Sequence, residues 1–229
     1  MFSDSFLETL GAWQNGWKEN QELRTKLADK LLSESAKISD EFRKVDRVCY
    51  RKRFLHYGEL LEIIMVDSKN EGIVSWTQDQ AYAERFKGLY KPSAVSGAIF
   101  EHTPKEAEVV VNICALWESE EFIDAVRVYT NKKGLHCEAL NNFKATQGEV
   151  ILSSPLKGSE IIALTGASSP FDDLCDELKV PEEMRDEYFR QLVNQGICPE
   201  EIKYTSKEGT QRVIAKTIKA FEAKMVSLK

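Results

Sequence analysis

An α+β fold is predicted from three observations. Apolar residues recur every three or four positions toward both ends of the chain, short β-branched runs bounded by turn residues fill its middle, and no segment repeats. With 229 residues, 42% of them hydrophobic, there is material for a substantial core in one large or two small domains. The formal charge of −6 comes from 37 acidic and 31 basic residues that are dispersed rather than blocked. That distribution argues against broad nonspecific nucleic-acid binding and leaves room for a local basic patch.

Residues 4 to about 44 read as helix, with Asp4 as a cap and Phe6, Leu7, Leu10, Trp13 and Trp17 on one side. Leu23, Leu27, Leu31 and Ile38 continue the pattern beyond Gly16, which suits a helical hairpin packed on the main domain or an arm for a partner. Val45 to Phe54 has strand character and is the most basic stretch, through Arg43, Lys44, Arg47, Arg51, Lys52 and Arg53. Gly58 to Asp67 reads as helix, Ile73 to Thr77 as a short strand, and Asp79 opens a helix to about Lys87.

Ser93 to His102 and Glu108 to Ile113 read as consecutive strands, and Leu116 to about Asn131 as a helix. Asn131 to Thr146 reads as loop. Val150 to Leu152 and Glu160 to Leu164 are expected to be strands joined as a hairpin through Ser153 to Gly158. At the mouth of the first of these, Gln147 and Glu149 lie two residues apart, so a continuous strand would turn both to one face. The remainder reads as helices over Phe171 to Leu178, Glu182 to Gln195 and Thr210 to about Val226, with a boundary near residue 168. The expected regions are 1–44, 45–168 and 169–229.

Five scattered cysteines, with no Cys-x-x-Cys pair and no Cys/His array, predict reduced thiols in a cytoplasm and no metal. Met1 to Glu8 is too acidic for a secretory signal, and no run of about 18 apolar residues predicts a membrane span. His136 and Cys137 are adjacent, but adjacency does not orient an imidazole onto its neighbour's thiol. Trp117, Phe122 and Tyr129, at helical spacing, read as core.

Three short elements stand in order: Tyr50-Arg51 on a strand, Ser75-Trp76-Thr77 on a strand followed by a helix with Ala81 and Phe86, and Gln147-Gly148-Glu149. Singly, each reads as ordinary strand residues; their ordered co-occurrence resembles the arginine-serine-glutamate class of the ADP-ribosyltransferase superfamily, over roughly Val45 to Leu164. The resemblance implies two small, packed, mostly antiparallel sheets around an NAD cleft, with helical additions at either end. NAD would be the co-substrate, with no metal.

In that setting Arg51 is expected to hold the pyrophosphate bidentately, as lysine does less well, with Tyr50, Ser75, Trp76 and Thr77 completing the cofactor-binding set. Ser75 would fix either the catalytic carboxylate or the nicotinamide ribose, and Thr77 would brace the strand. Glu149 would accept from the ribose hydroxyl and stabilise the developing cation, while Gln147 orients the nucleophile. Lys52 stands where many relatives have glycine, which makes Arg47 and Arg53 competitors for the role of Arg51.

In such families a glutamate at the position of Gln147 goes with arginine acceptors, whereas glutamine goes with other side chains or nucleobases. The expected activity is therefore mono-ADP-ribosyl transfer to a nucleobase in RNA or DNA, or alternatively to a non-arginine protein side chain. Phe143 would stack on a base or pack on a side chain in the acceptor loop. The resemblance further implies an intracellular toxin or phage-defence effector, a neutralising antitoxin protein, and no membrane partner. A non-catalytic α+β interaction module is the rival reading.

Overall fold

In a computed structural model, the chain is described at residues 2–17, 20–56, 58–89, 91, 93–144, 147–165, 171, 175, 177–196 and 204–227. It is an α+β protein that divides into two compact units. One comprises Met1–Tyr50, Asn70–Tyr82 and His102–Pro155; the other comprises Arg51–Lys69, Ala83–Glu101 and Leu156–Lys229. The boundary thus passes between Tyr50 and Arg51, within one strand.

The first unit begins with α1 (Asp4–Asn15) and α2 (Gln21–Ser35), which pack against each other as a helical pair. Ser3, not Asp4, is the cap of α1: its Oγ accepts from the Phe6 N–H at 3.0 Å, and Asp4 is the first helical residue. Asn20 caps α2 in the same way, through the Leu23 N–H at 3.0 Å. The helical reading to about residue 44 shortens accordingly, with a 3-10 turn at Asp40–Arg43. Phe6, Leu7, Leu10 and Trp13 of α1 are buried together with Ile113, Phe122 and Ile151 in one core. At about 1.5–3 kcal/mol per fully buried large side chain, this packing rather than helix propensity holds α1 in place.

Four strands serve this unit among the described residues. They are the start of β1 (Cys49–Leu55), then β2 (Val74–Thr77), β4 (Val109–Asn112) and β5 (Glu149–Leu152), hydrogen-bonded in the order β4-β5-β2-β1. Every pairing among them is antiparallel. Between β4 and β5 run α5 (Ile113–Glu118), α6 (Glu120–Asn131) and α7 (Cys137–Phe143). Helix α6 buries Phe122, Val126 and Tyr129 at four- and three-residue spacing. Helix α7 replaces the expected loop between Asn131 and Thr146, and α1 packs against it.

The second unit holds the rest of β1 with β3 (Ser96–His102, of which His102 lies in the first unit) and β6 (Ile161–Leu164), in the order β1-β3-β6. The hairpin expected between β5 and β6 does not form, because β5 pairs with β2 and β4 whereas β6 pairs antiparallel with β3. Nor do the strands fall into two separate sheets, since β1 belongs to both groups. Helices α3 (Glu59–Val66), α8 (Glu182–Asn194) and α9 (Lys207–Ser227) belong to this unit, and α9 packs on β6 and α3. Another boundary, between Tyr82 and Ala83, falls within helix α4 (Gln80–Arg85). The expected boundary at residue 168 and half of the helix expected over Phe171 to Leu178 lie outside the described residues.

Among the described residues, Lys52 is the buried cation of the second unit. It is buried, donates to the carbonyls of Glu84 and Gly88, and sits 5.1 Å from the ring centroids of both Phe54 and Tyr204. Burial lowers its pKa.

Candidate functional site

Register sets this site. In the β2–β5 pair Thr77 lies opposite Glu149, Trp76 opposite Val150 and Ser75 opposite Ile151. Alternation along each strand therefore gives Ser75, Thr77, Glu149 and Ile151 one face, and Trp76 and Val150 the other. On the first face the Glu149 carboxylate forms a hydrogen bond with the Ser75 side chain.

Glu149 is only 8% exposed. Burial raises its pKa above the ordinary carboxylate value, and hydrogen bonds from Ser75 and Gln14 pull it back in part. Both are neutral groups, so the carboxylate is desolvated without a cation among its named partners. Two residues of α1 that the sequence did not point to as site residues, Trp13 on the apolar side of the helix and Gln14 with no assigned role, reach this face. Trp13 Nε1 donates to Ser75 Oγ at 3.1 Å, and Gln14 Nε2 donates to Glu149 Oε2 at 3.5 Å. Tyr82 of α4 is close enough for the Glu149 charge to raise its pKa, after the larger effect of burial. Cys114 approaches the Glu149 carbonyl, with Sγ at 3.9 Å. The buried Cys49 thiol, pushed up by burial and by Cys114 to about 12, is no nucleophile at neutral pH.

Thr77 braces the turn into β5. Its Oγ1 donates to the Gln147 carbonyl at 2.6 Å and accepts from the Asp79 N–H at 3.0 Å, while the Gln78 N–H reaches the Gly148 carbonyl at 2.9 Å. Gly148 has φ +58, and a Cβ there would stand 3.2 Å from Thr77 Oγ1. This left-handed residue breaks the strand before Glu149. The expected same-face pairing of Gln147 and Glu149 by simple alternation is therefore corrected: Gln147 lies in a turn, half-buried, and β5 begins at Glu149.

The remaining candidates are distributed as follows. Tyr50 is half-buried on β1 and pairs with Thr77. Arg51 is half-buried and is the first residue of the second unit. Of its competitors, Arg47 is exposed, whereas Arg53 lies 3.5 Å from the Glu59 carboxylate in an ion pair. Trp76 does not join Ser75 and Glu149: it is buried on the opposite face, its ring 5.6 Å from that of His102. Phe143 is half-buried at the last turn of α7.

A second polar cluster lies toward that opposite face. Buried His102 places Nε2 3.0 Å from Glu108 Oε2 and 3.0 Å from Ser154 Oγ. One ring nitrogen serves both neighbours, so the imidazole does not bridge serine to carboxylate as nucleophilic catalysis requires. Among the described residues no group of three or more His, Cys, Asp or Glu could hold a metal ion, and no helix is long and apolar enough to cross a membrane. Neither a scan against protein-family models nor a search of curated proteins finds a match for this chain.

Proposed function

We propose that the chain is a mono-ADP-ribosyltransferase that moves ADP-ribose from NAD to a macromolecular acceptor, and that Glu149 is its central catalytic residue. One observation carries this reading: a buried carboxylate is held by the Ser75 hydroxyl across the β2–β5 pair. In the arginine-serine-glutamate arrangement the serine fixes the carboxylate that stabilises the cleaving sugar.

The chemistry follows from charge. When the bond between the ribose and nicotinamide breaks, its electron pair leaves with nicotinamide and positive charge develops on the ribose. A desolvated carboxylate stabilises that cation more strongly than a solvated one would. Glu149 must be ionised to do so, and the cationic nicotinamide ring of bound NAD favours the ionised form. Arg51 holds the pyrophosphate, and Gln147, being neutral, orients the nucleophile without acting as a base. The acceptor is a nucleobase in RNA or DNA, with a non-arginine protein side chain as the alternative. By family analogy the setting is that of an intracellular toxin or defence effector with a neutralising partner.

A non-catalytic module is the second reading, favoured by the way Trp13 and Gln14 already engage Ser75 and Glu149. Incubation with NAD labelled in its adenylate, followed by separation of RNA, DNA and protein, decides between the two. Label in one pool, lost in Glu149→Gln, identifies both the activity and the acceptor class. Transfer that persists in Glu149→Gln sinks the mechanism, and absence of NAD binding leaves the module.

A further inference from the structure

The end of α1 makes two polar contacts with the face that carries Ser75 and Glu149. An indole N–H can only donate, so the Trp13 bond at 3.1 Å occupies Ser75 Oγ as an acceptor and leaves the serine hydrogen to donate to the Glu149 carboxylate. Gln14 spends its amide nitrogen on Glu149 Oε2 at 3.5 Å. Its amide oxygen is buried and has no hydrogen-bond partner among the described residues. A buried acceptor without a donor is destabilising, and such atoms are few in folded proteins. This one belongs to the same amide group whose nitrogen is bonded to the carboxylate, so a donor that meets it stands next to the group that holds Glu149.

We propose that Gln14 is a substrate-recognition residue of the Glu149 site: its Nε2 holds the carboxylate, and its unpartnered Oε1 accepts a hydrogen bond from a hydroxyl or primary amide of the ligand. The ligand class rests on the ADP-ribosyltransferase reading, since NAD offers both donors, in its ribose hydroxyls and its carboxamide. The arrangement also assigns the N-terminal helix to the site rather than to a detachable arm, because Phe6, Leu7, Leu10 and Trp13 anchor it in the core of the same unit.

Gln14→Leu keeps the volume and removes both polar atoms; Gln14→Met is a second variant should the first not fold, with thermal melting as the check. NAD and ADP-ribose binding are measured by calorimetry, and the Glu149 carboxyl is titrated by carbon NMR, assigned through Glu149→Gln. Gln14→Leu is expected to weaken NAD binding about tenfold and to move the Glu149 titration upward, since a donor to the carboxylate is lost. A matching loss for ADP-ribose assigns the ligand donor to a hydroxyl; a loss for NAD alone assigns it to the carboxamide. A folded variant that binds NAD like the wild type, with an unmoved Glu149 titration, overturns the proposal. A wild type that binds neither ligand overturns the ADP-ribosyl reading and the recognition role with it, while the titration still decides whether Gln14 holds Glu149.

Discussion

Two glutamates of the first unit, Glu149 and Glu108, meet opposite fates. Burial pushes the Glu108 carboxyl upward, but the Lys105 backbone N–H at 2.7 Å and the His102 ring at 3.0 Å outweigh it and hold the pKa below the usual range. Glu149 is more deeply buried and, among the described residues, is held by the neutral side chains of Ser75 and Gln14, so burial prevails and its pKa is raised. The first carboxylate is satisfied by the protein and contributes to holding it together. The second is kept short of partners, an arrangement that stabilises a folded protein poorly and suits a group meant to meet a cation.

The contrast can be broken most severely at Glu149 itself. Glu149→Gln is expected to lower transfer by about 100- to 1000-fold, and it should at the same time make the protein more stable. A raised folded pKa favours the native state fully below the unfolded value, and that contribution disappears as pH rises through the folded value. Removing the carboxyl therefore stabilises most at the higher pH, and melting curves from pH 4 to 8 should separate progressively from the wild type. Wild-type activity should rise with pH as Glu149 ionises. An unchanged melting difference across that range would show that Glu149 is not buried as described.

Glu108→Gln should behave in the opposite sense, costing about 1–3 kcal/mol at pH 7 with little change in transfer. Its lowered folded pKa contributes stability above the unfolded value that is lost as pH falls through the folded one, so wild type and variant should converge in acid. Denaturant melts at pH 7 and pH 3 check this. A smaller effect sharpens the assignment of the pyrophosphate ligand. Arg51→Lys should weaken NAD binding about tenfold, whereas Arg53→Lys, at the Glu59 ion pair, should change it by less than about threefold. Calorimetric titration of the two variants, side by side, would expose the wrong choice of arginine. Gly148→Ala should be the mildest, at about 1 kcal/mol of stability for an L residue at φ +58, read from the urea midpoint.

Much of this was legible in the sequence because it was local. The periodicity of Phe122, Val126 and Tyr129 revealed α6, and the β-branched runs revealed β3, β4 and β5. Helix α7 was hidden because His136, at its start, has φ +60 and makes no side-chain cap, and only Ala139 and Leu140 of the helix are buried. The β5–β6 hairpin is absent because adjacency in sequence does not imply adjacency in the sheet, and the partners of β5 are set by long-range pairing. Gly148 is a local sign of the break, since glycine within a strand pattern marks a bend that simple alternation ignores. Trp13 and Gln14 gave none: their partners lie 62 and 135 residues away along the chain.

One feature of the helical layer extends the reach of the site. Gly11 of α1 lies so close to α7 that a Cβ there would stand 2.6 Å from the His136 carbonyl oxygen. The two helices can approach only because one of them lacks a side chain at the crossing. Any larger residue would wedge α1 outward and carry Trp13 and Gln14 with it, two and three residues farther along the same helix. Gly11 is thus a spacer whose size sets contacts it never makes, and a substitution there would read, in an assay of the proposed transfer, as damage to Glu149.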